Sequence, residues 1–215
     1  MMFSMDRTAL ISRQQIGLSG LTLPDELQTE IVRKSIHMSI ALVPSLAALV
    51  GVSATLALLS VGTLFYTYCE TLRVHGHQVA LVSRITSVAS RRRDQGGFTL
   101  GPITLGLGAM LALLLYPDPA ASIAIYALAF GDGLASLFGK FFGTVEIPRT
   151  GGKTVEGTVA CFTAVFLVVH ALTGRAPEAM AVAAAAALLE LAPASDLDNL
   201  VLPAGTGLIA ALLFV

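Results

Sequence analysis

The chain has 215 residues, of which 55% are apolar and 13% are charged, and its formal net charge is −1. Soluble domains carry about 25% charged residues, so this composition excludes an ordinary water-soluble protein and indicates a membrane protein. The near-neutral charge excludes a nucleic-acid-binding protein that depends on bulk positive charge. Cys69 and Cys161 lie in or beside apolar runs and do not suggest a disulfide framework.

A bilayer core of about 30 Å needs about 20 apolar helical residues, and the sequence contains seven candidate segments. They are 36–50, 52–68, 100–116, 119–138, 155–172, 177–191 and 200–215. The first and the sixth are short, so six spans remain an alternative. The fold class predicted from these segments is all-α, a polytopic membrane helical bundle.

The positive charges predict how these segments are oriented. With the N-terminus in the cytoplasm, twelve of the thirteen Lys and Arg residues fall on the inner side, and only Arg175 falls outside. Such a bias in short loops sets orientation, so we expect an inner-membrane protein whose substantial loops face the cytoplasm. The loop 73–95 resembles an interfacial amphipathic helix, and its arginines at 91–93 are typical of an anchor to anionic lipid.

The chain before the first segment lacks a continuous apolar run, so it does not resemble a cleaved signal peptide. We expect a cytoplasmic or interfacial segment over 1–29 and a single membrane catalytic domain over 30–215. Pro24 and Asp25 are typical of a first helical turn. A helix that continues from this turn carries four polar residues on one face, because they are spaced by three or four. These are Glu30, Arg33, Lys34 and His37.

Asp132 lies near the cytoplasmic end of an otherwise apolar span. An ionised carboxylate there is costly without a cation, a partner or water, so Asp132 indicates a functional site. Gly131 and Gly133 flank it. Such small residues let the backbone approach a ligand, but they also serve helix packing in membranes, and glycine content alone favours packing.

The loop that follows adds Lys153, Thr154 and Glu156 just before and at the start of the next span. A basic side chain at a helix N-terminus favours an anion such as phosphate. A carboxylate three residues after a lysine allows a divalent cation to be held beside that phosphate. The alternative is a surface ion pair between Lys153 and Glu156, and the presence of Asp132 in the same hairpin favours a site.

A third polar group follows the sixth segment, with Glu190 at its end and Asp198 and Asn199 in the connector. Carboxylate and amide oxygens suit Mg²⁺. The alternative is a solvated turn with helix caps, and for Asp196 we prefer a helix cap.

Elsewhere in the sequence, Glu70 precedes Arg73 by three residues. This spacing fits an ion pair as well as a functional site.

These motifs resemble the CTP-dependent lipid-alcohol kinases, which include dolichol, phytol and CTP-dependent diacylglycerol kinases. The matching motifs are Glu30-x-x-Arg33-Lys34-x-x-His37, Gly131-Asp132-Gly133-x-Ala135, Lys153-Thr154-x-Glu156-Gly157, and Glu190 followed by Asp198-Asn199 and Pro203. The middle two are also similar to the CDP-diacylglycerol synthases. Those enzymes carry a long C-terminal signature that this chain replaces with Asp198-Asn199, so the resemblance favours the kinases.

The resemblance implies transfer of the γ-phosphate of CTP to a membrane lipid alcohol, either a polyprenol, dolichol or phytol type or diacylglycerol. The expected Mg²⁺ ligands are Asp132, Glu156, Glu190 and Asp198. The expected catalytic residues are Asp132, Lys153, Glu156 and His37. The expected nucleotide-binding residues are Arg33, Lys34, Gly131, Gly133, Lys153, Thr154 and Asn199.

Two other functions remain open at this point. One is a CTP:phosphatidate cytidylyltransferase, and the other is a small ion-coupled transporter that uses Asp132. A transporter would be expected to carry charges in both halves of the membrane, whereas these charges gather on one side. Gly101, Gly106 and Gly108 would support helix packing within one chain or between two copies, which leaves a homo-oligomer open.

Overall fold

The computed structural model describes the backbone of residues 25–77, 97–192 and 197–215, and the side chains of these ranges from residue 29 onward. Three predictions lie outside the described residues. They concern the segment before Asp25, the arginines at 91–93 in the expected interfacial helix, and the helix cap at Asp196.

Within the described ranges the chain forms eight helices and an isolated β-bridge between Glu146 and Thr154. The helices are α1 (Asp25–Met38), α2 (Val43–Val50), α3 (Val52–Val74), α4 (Gly101–Leu115), α5 (Ala120–Phe142), α6 (Val155–Thr173), α7 (Ala176–Glu190) and α8 (Asp198–Phe214). A 3-10 turn at Ser39–Leu42 joins α1 to α2, and α5 contains a π turn at Ala127–Asp132.

The predicted all-α membrane bundle is confirmed. Each predicted span after the first corresponds to one helix, whereas the first, 36–50, is divided between the end of α1, the 3-10 turn and α2. Among the described residues, α3, α5 and α6 are long and apolar enough to cross a membrane, and α4 and α8 are shorter apolar helices. The choice between six and seven spans therefore stays a prediction.

Helix α5 lies at the centre of the bundle. Ile123, Ala124, Ile125 and Leu128 are completely buried. One apolar cluster joins α5 to α6, α7 and α8, and a second joins it to α2, α4 and the 3-10 turn. In the C-terminal half of α5, which is partly exposed, the polar side chains of Asp132, Ser136 and Lys140 contact α1.

Small residues let the helices around α5 approach closely. A Cβ on Gly157 of α6 would lie 2.7 Å from the carbonyl oxygen of Ala135 on α5, so the two backbones are in direct contact. On α7, Ala183 and Ala186 are completely buried. Glu190 lies four residues beyond Ala186, on the same face of the helix, and its side chain therefore points into the bundle.

The loops that were predicted to share one side of the membrane meet at one end of the bundle. Asn199 at the start of α8 bonds to Thr104 near the start of α4, and Lys153 before α6 bonds to Glu190 at the end of α7. Arg175, predicted on the other side, contacts the last turn of α8. The orientation of this bundle relative to the cytoplasm stays a prediction.

Candidate functional site

Asp132 ends the π turn in α5 and faces α1. Its carboxylate accepts a hydrogen bond from the Lys34 ammonium and lies 3.2 Å from Nε2 of His37. Nε2 of His37 also lies 2.9 Å from the carbonyl oxygen of Leu128, inside the same turn. A carbonyl only accepts, so Nε2 carries a proton. π turns within α-helices are frequent at functional sites, and here the turn places a carboxylate and a carbonyl oxygen against α1.

The polar face of α1 packs along one face of α5, on which the contacting residues recur every four positions. We call this contact the α1–α5 seam. Its members are Glu30, Arg33, Lys34 and His37 on α1, and Leu128, Asp132, Ser136 and Lys140 on α5. Glu30, Lys34 and His37 are buried. The predicted alignment of the four α1 residues on one helix face is confirmed.

Glu30 has the largest number of polar partners in the seam. It is 1% exposed and accepts hydrogen bonds from Arg33, from Ser136 Oγ at 2.6 Å and from Lys140 Nζ at 2.7 Å. Burial acts to raise the pKa of Glu30, but the charge of Arg33 and the bonds from Arg33, Lys140 and Ser136 outweigh it and hold that pKa well below its usual range. Glu30 is therefore ionised, and it fastens α1 to α5.

Lys153 joins the loop before α6 to the connection between α7 and α8. Its Nζ bonds to the carbonyl oxygens of Glu190 and Ala192, the latter at 3.1 Å. It also lies 3.3 Å from Oε1 of Glu190 and 3.4 Å from Oδ2 of Asp198. We call this group of four oxygens around one ammonium the Lys153 cluster. The π turn that ends at Asp132 packs against α7 and α8, which carry Glu190 and Asp198, so the cluster and the seam lie next to each other and form one charged region.

Glu156 makes its polar contacts away from the Lys153 cluster. Its carboxylate accepts hydrogen bonds from the hydroxyl of Thr144 and from the backbone N–H of Thr144, the latter at 3.0 Å. Thr154 caps α6, because its hydroxyl accepts the N–H of Gly157 at 3.2 Å. In this structure both residues therefore fasten the loop to the start of α6. Across the described residues, His, Cys, Asp and Glu side chains do not form a group of three or more that could hold a metal ion.

Three of the expected nucleotide-binding residues lie in packing contacts. A Cβ on Gly131 would lie 3.1 Å from the side chain of Val165, and one on Gly133 would lie 2.8 Å from the side chain of Met38. Asn199 donates to the hydroxyl of Thr104 at 2.9 Å. These contacts favour the packing alternative for the two glycines, and for Asn199 they indicate a link between α8 and α4.

The seam also includes two residues that the sequence motifs did not identify as functional, Ser136 and Lys140. They lie four and eight residues after Asp132, so a helix through Asp132 places all three residues on one helix face. That signal was available, but it is weak, because small and basic residues are common near the end of a membrane helix.

Glu70 and Arg73 form the ion pair that their spacing allowed. Nε and Nη2 of Arg73 each donate to a different oxygen of Glu70 at 2.8 Å. The same Nη2 donates to the carbonyl oxygen of Gly97 at 2.5 Å, and the N–H of Thr99 donates to Glu70 at 2.7 Å. We call this group the α3 clasp, because it ties the end of α3 to the segment that enters α4.

Comparison with curated proteins finds plant relatives. The chain is 27% identical over 153 residues to a probable chloroplastic phytol kinase of Triticum aestivum, covering 63% of this chain and 50% of that protein. It is 34% identical over 80 residues to a chloroplastic farnesol kinase of Arabidopsis thaliana, covering 36% of this chain and 26% of that protein. The chain is similar to isoprenoid-alcohol kinases. A probable chloroplastic phytol kinase of Glycine max matches at 26% identity over 102 residues, 46% of this chain and 34% of that protein.

The resemblance to lipid-alcohol kinases, predicted from the motifs, is thus confirmed at modest identity. The chain spans half or less of the length of these relatives. No family model matches the chain, and no solved structure matches it. The predicted similarity to CDP-diacylglycerol synthases is not shown by these relatives and stays a prediction.

Proposed function

We propose that this protein is a membrane kinase that transfers the γ-phosphate of CTP to an isoprenoid alcohol at the cytoplasmic face of the inner membrane. The observation that carries the proposal is the single charged region formed by the α1–α5 seam and the Lys153 cluster. It combines cations suited to phosphate with carboxylates suited to a metal, at one end of a bundle whose walls are apolar. The similarity to phytol and farnesol kinases supports the same activity.

The donor set in this region fits Mg²⁺, which takes oxygen ligands and is usually bound by one or two carboxylates together with substrate phosphates. Glu190 and Asp198 would supply two carboxylates, and Asp132 would have to move toward them, because the described His, Cys, Asp and Glu side chains do not form a group of three that could hold a metal ion. Glu190 and Asp198 already face one cation, the Lys153 ammonium, and Mg²⁺ would have to take its place as Lys153 turned to the phosphates. Glu156 would have to exchange its contacts with Thr144 to join them. Bound with CTP, Mg²⁺ would neutralise charge on the β- and γ-phosphates.

In the proposed reaction, the alcohol oxygen bonds to the γ-phosphorus while the bond to the bridging oxygen breaks and CDP leaves. The alcohol proton passes to a base. His37 suits this role, because its Nε2 proton is directed at the Leu128 carbonyl and the neutral ring keeps Nδ1 as the basic nitrogen. Asp132 is the alternative base. Arg33, Lys34 and Lys153 would neutralise and orient the phosphates.

The apolar surroundings of the site fit an isoprenoid chain. Helix α5 brings Asp132 to the end of a bundle whose outer surfaces are apolar, and Phe138 and Phe142 are exposed beyond it. An alcohol dissolved in the bilayer would present its hydroxyl at this level and leave its tail in lipid. A tail that stays in lipid gives the protein little selectivity for chain length, because each buried methylene contributes only about 0.8 kcal/mol.

The test uses membranes that contain the protein and CTP labelled either on the γ-phosphate or on the cytosine base. Acceptors would be phytol, farnesol, a long polyprenol and diacylglycerol, each in a separate assay. We expect only the γ-label to enter lipid, and phytol or farnesol to accept it faster than diacylglycerol.

Each other result identifies a different function. Incorporation of the base label would refute the kinase and favour synthesis of a CDP-lipid. Ion movement without incorporation of either label would favour a transporter. Preferential labelling of diacylglycerol would leave a lipid-alcohol kinase but overturn the isoprenoid substrate.

A further inference from the structure

The carboxylate of Glu30 is fully occupied inside the seam. One oxygen, Oε1, accepts from Nη2 of Arg33 and from Ser136. The other, Oε2, lies 3.4 Å from Nε of Arg33 and accepts from Lys140. Both oxygens therefore have two donors, which leaves Glu30 without capacity for a metal ion or for a substrate proton.

These contacts fix the orientation of the Arg33 guanidinium. Two nitrogens of its planar fork are directed at the two oxygens of one buried carboxylate, and this geometry leaves the plane of the fork little freedom. Among the described residues, the hydrogen bonds of Arg33 use only Nε and Nη2. The side chain is 26% exposed, so part of the guanidinium reaches the edge of the seam, where a ligand could contact it.

Arg33 also lies next to a second cation. Lys34 is buried and paired with Asp132, and the charges of Arg33 and Lys34 repel each other. Glu30 attracts both cations. Without this carboxylate, Arg33 would gain hydration and separation from Lys34 by turning toward solvent.

We propose that Glu30 is a positioning residue, which holds Arg33 beside Lys34 in the orientation that binds a phosphate of the nucleotide. Ser136 and Lys140 hold Glu30 in turn, so that α5 sets the position of Arg33 relative to Asp132. This inference rests on the proposed function, because it takes the phosphates of CTP as the ligand of the charged region.

The α3 clasp provides a matched control. Glu70, like Glu30, is a buried carboxylate that receives a two-point contact from an arginine three residues later. Its further donor is a backbone N–H, and Arg73 also bonds to a backbone carbonyl. A variant of Glu70 therefore reproduces the loss of a buried Glu–Arg pair at a place outside the seam and the Lys153 cluster.

The experiment measures the Kd of labelled CTP with Mg²⁺ by equilibrium dialysis, on the full chain in nanodiscs. The variants are Glu30→Gln, Arg33→Gln, the double variant and Glu70→Gln. We expect Glu30→Gln to raise the Kd about tenfold, as the loss of one oriented charged contact does. We expect the double variant to match Arg33→Gln within about twofold, because two changes that act through one group are not additive. Glu70→Gln should stay within about twofold of the wild type.

Three results would overturn the inference: an unchanged Kd in Glu30→Gln, a double variant whose effect is the product of the single effects, or an equal rise in Glu70→Gln. If Glu30→Gln does not fold, Ser136→Ala combined with Lys140→Gln removes two donors to Glu30 and should raise the Kd about threefold. An unchanged Kd in that variant would also overturn it.

The binding measurement separates this inference from the proposed function. A wild-type protein that binds CTP but transfers no γ-phosphate would refute the kinase, and the four Kd values would still decide the role of Glu30. A wild-type protein that does not bind CTP would refute both.

Discussion

The seam and the α3 clasp contain the same local motif in two different settings. In each, a glutamate precedes an arginine by three residues on a helix, and Nε and Nη2 of the arginine face the two oxygens of a carboxylate that is at most 1% exposed. In the α3 clasp the further partners are backbone groups: the N–H of Thr99 donates to Glu70, and the carbonyl oxygen of Gly97 accepts from Arg73. Around Glu30 they are side chains of α5 on the face that carries Asp132.

The different partners of the two pairs show that a three-residue spacing on a helix is enough to form the Glu–Arg ion pair. The spacing does not determine what the pair does in the structure. A pair whose other partners are backbone groups fixes the path of the chain. A pair that is fixed by side chains next to a buried Lys–Asp contact instead sets the position of a cation at the candidate site. The following variants test this distinction, in order of decreasing expected effect.

Asp132→Asn should have the largest effect, because Asp132 connects the seam to the proposed chemistry and the α3 clasp has no counterpart to it. We expect the rate of γ-phosphate transfer to fall by about 10²- to 10³-fold, the range for loss of one electrostatic group in an active site. Asp118→Asn, an exposed change at the other end of the bundle, is the control and should keep the rate. A wild-type rate in Asp132→Asn, measured on protein of normal membrane content, would remove Asp132 from the mechanism.

Arg33→Lys and Arg73→Lys compare the two arginines directly. A lysine keeps the charge but cannot make the two-point contact. We expect the KM for CTP to rise about tenfold in Arg33→Lys and less than twofold in Arg73→Lys. Steady-state transfer assays at fixed alcohol concentration measure both values. Equal changes in the two variants would show that the seam contributes no more to nucleotide binding than the α3 clasp.

Glu70→Gln should affect stability rather than activity. It weakens the bonds to Arg73 and to the N–H of Thr99, all of which are buried or partly buried, at a cost of about 1–3 kcal/mol. Thermal unfolding in detergent should show a lowered midpoint, while transfer per folded molecule stays unchanged. A change in KM without a change in the midpoint would contradict a structural role.

Lys140→Gln should have the smallest effect. Its side chain is 44% exposed, and partly exposed ion pairs contribute at most about 1 kcal/mol. Glu30 keeps its contacts with Arg33 and Ser136 in this variant. We therefore expect the KM for CTP to rise less than about threefold. A larger rise than in Arg33→Lys would show that Lys140 itself, rather than Arg33, binds the nucleotide.

Apolar run length predicted most of the fold, because the bilayer imposes one helix length on each span. It failed at the first span, where α1 is polar and begins at Asp25, ahead of the apolar run. Hydropathy does not detect such a helix, but the first-turn pattern at Pro24 and Asp25 did predict that it begins ahead of the apolar run. The three- and four-residue spacing of Glu30, Lys34 and His37 did predict their shared face.

The rest of the site depends on features that a single sequence does not specify. The π turn at Ala127–Asp132 contains no helix-breaking proline or other strong local signal. The path of the loop before α6 brings Thr144 to Glu156 and Lys153 to Glu190, and these pairings join residues 12 and 37 positions apart. Local sequence preferences do not predict contacts between residues so far apart in the chain. The motifs therefore identified these residues as candidates but did not predict which residues they contact.

The π turn also affects how the chain would respond to a change of length. It accommodates one more residue than the regular turn it replaces. Deleting a single residue between 127 and 131 would allow α5 to close into an uninterrupted helix with both halves in their present directions. The carbonyl of Leu128 would then return to the regular pattern and be lost to His37, so we expect one deletion to leave the bundle intact and still abolish the proposed phosphate transfer.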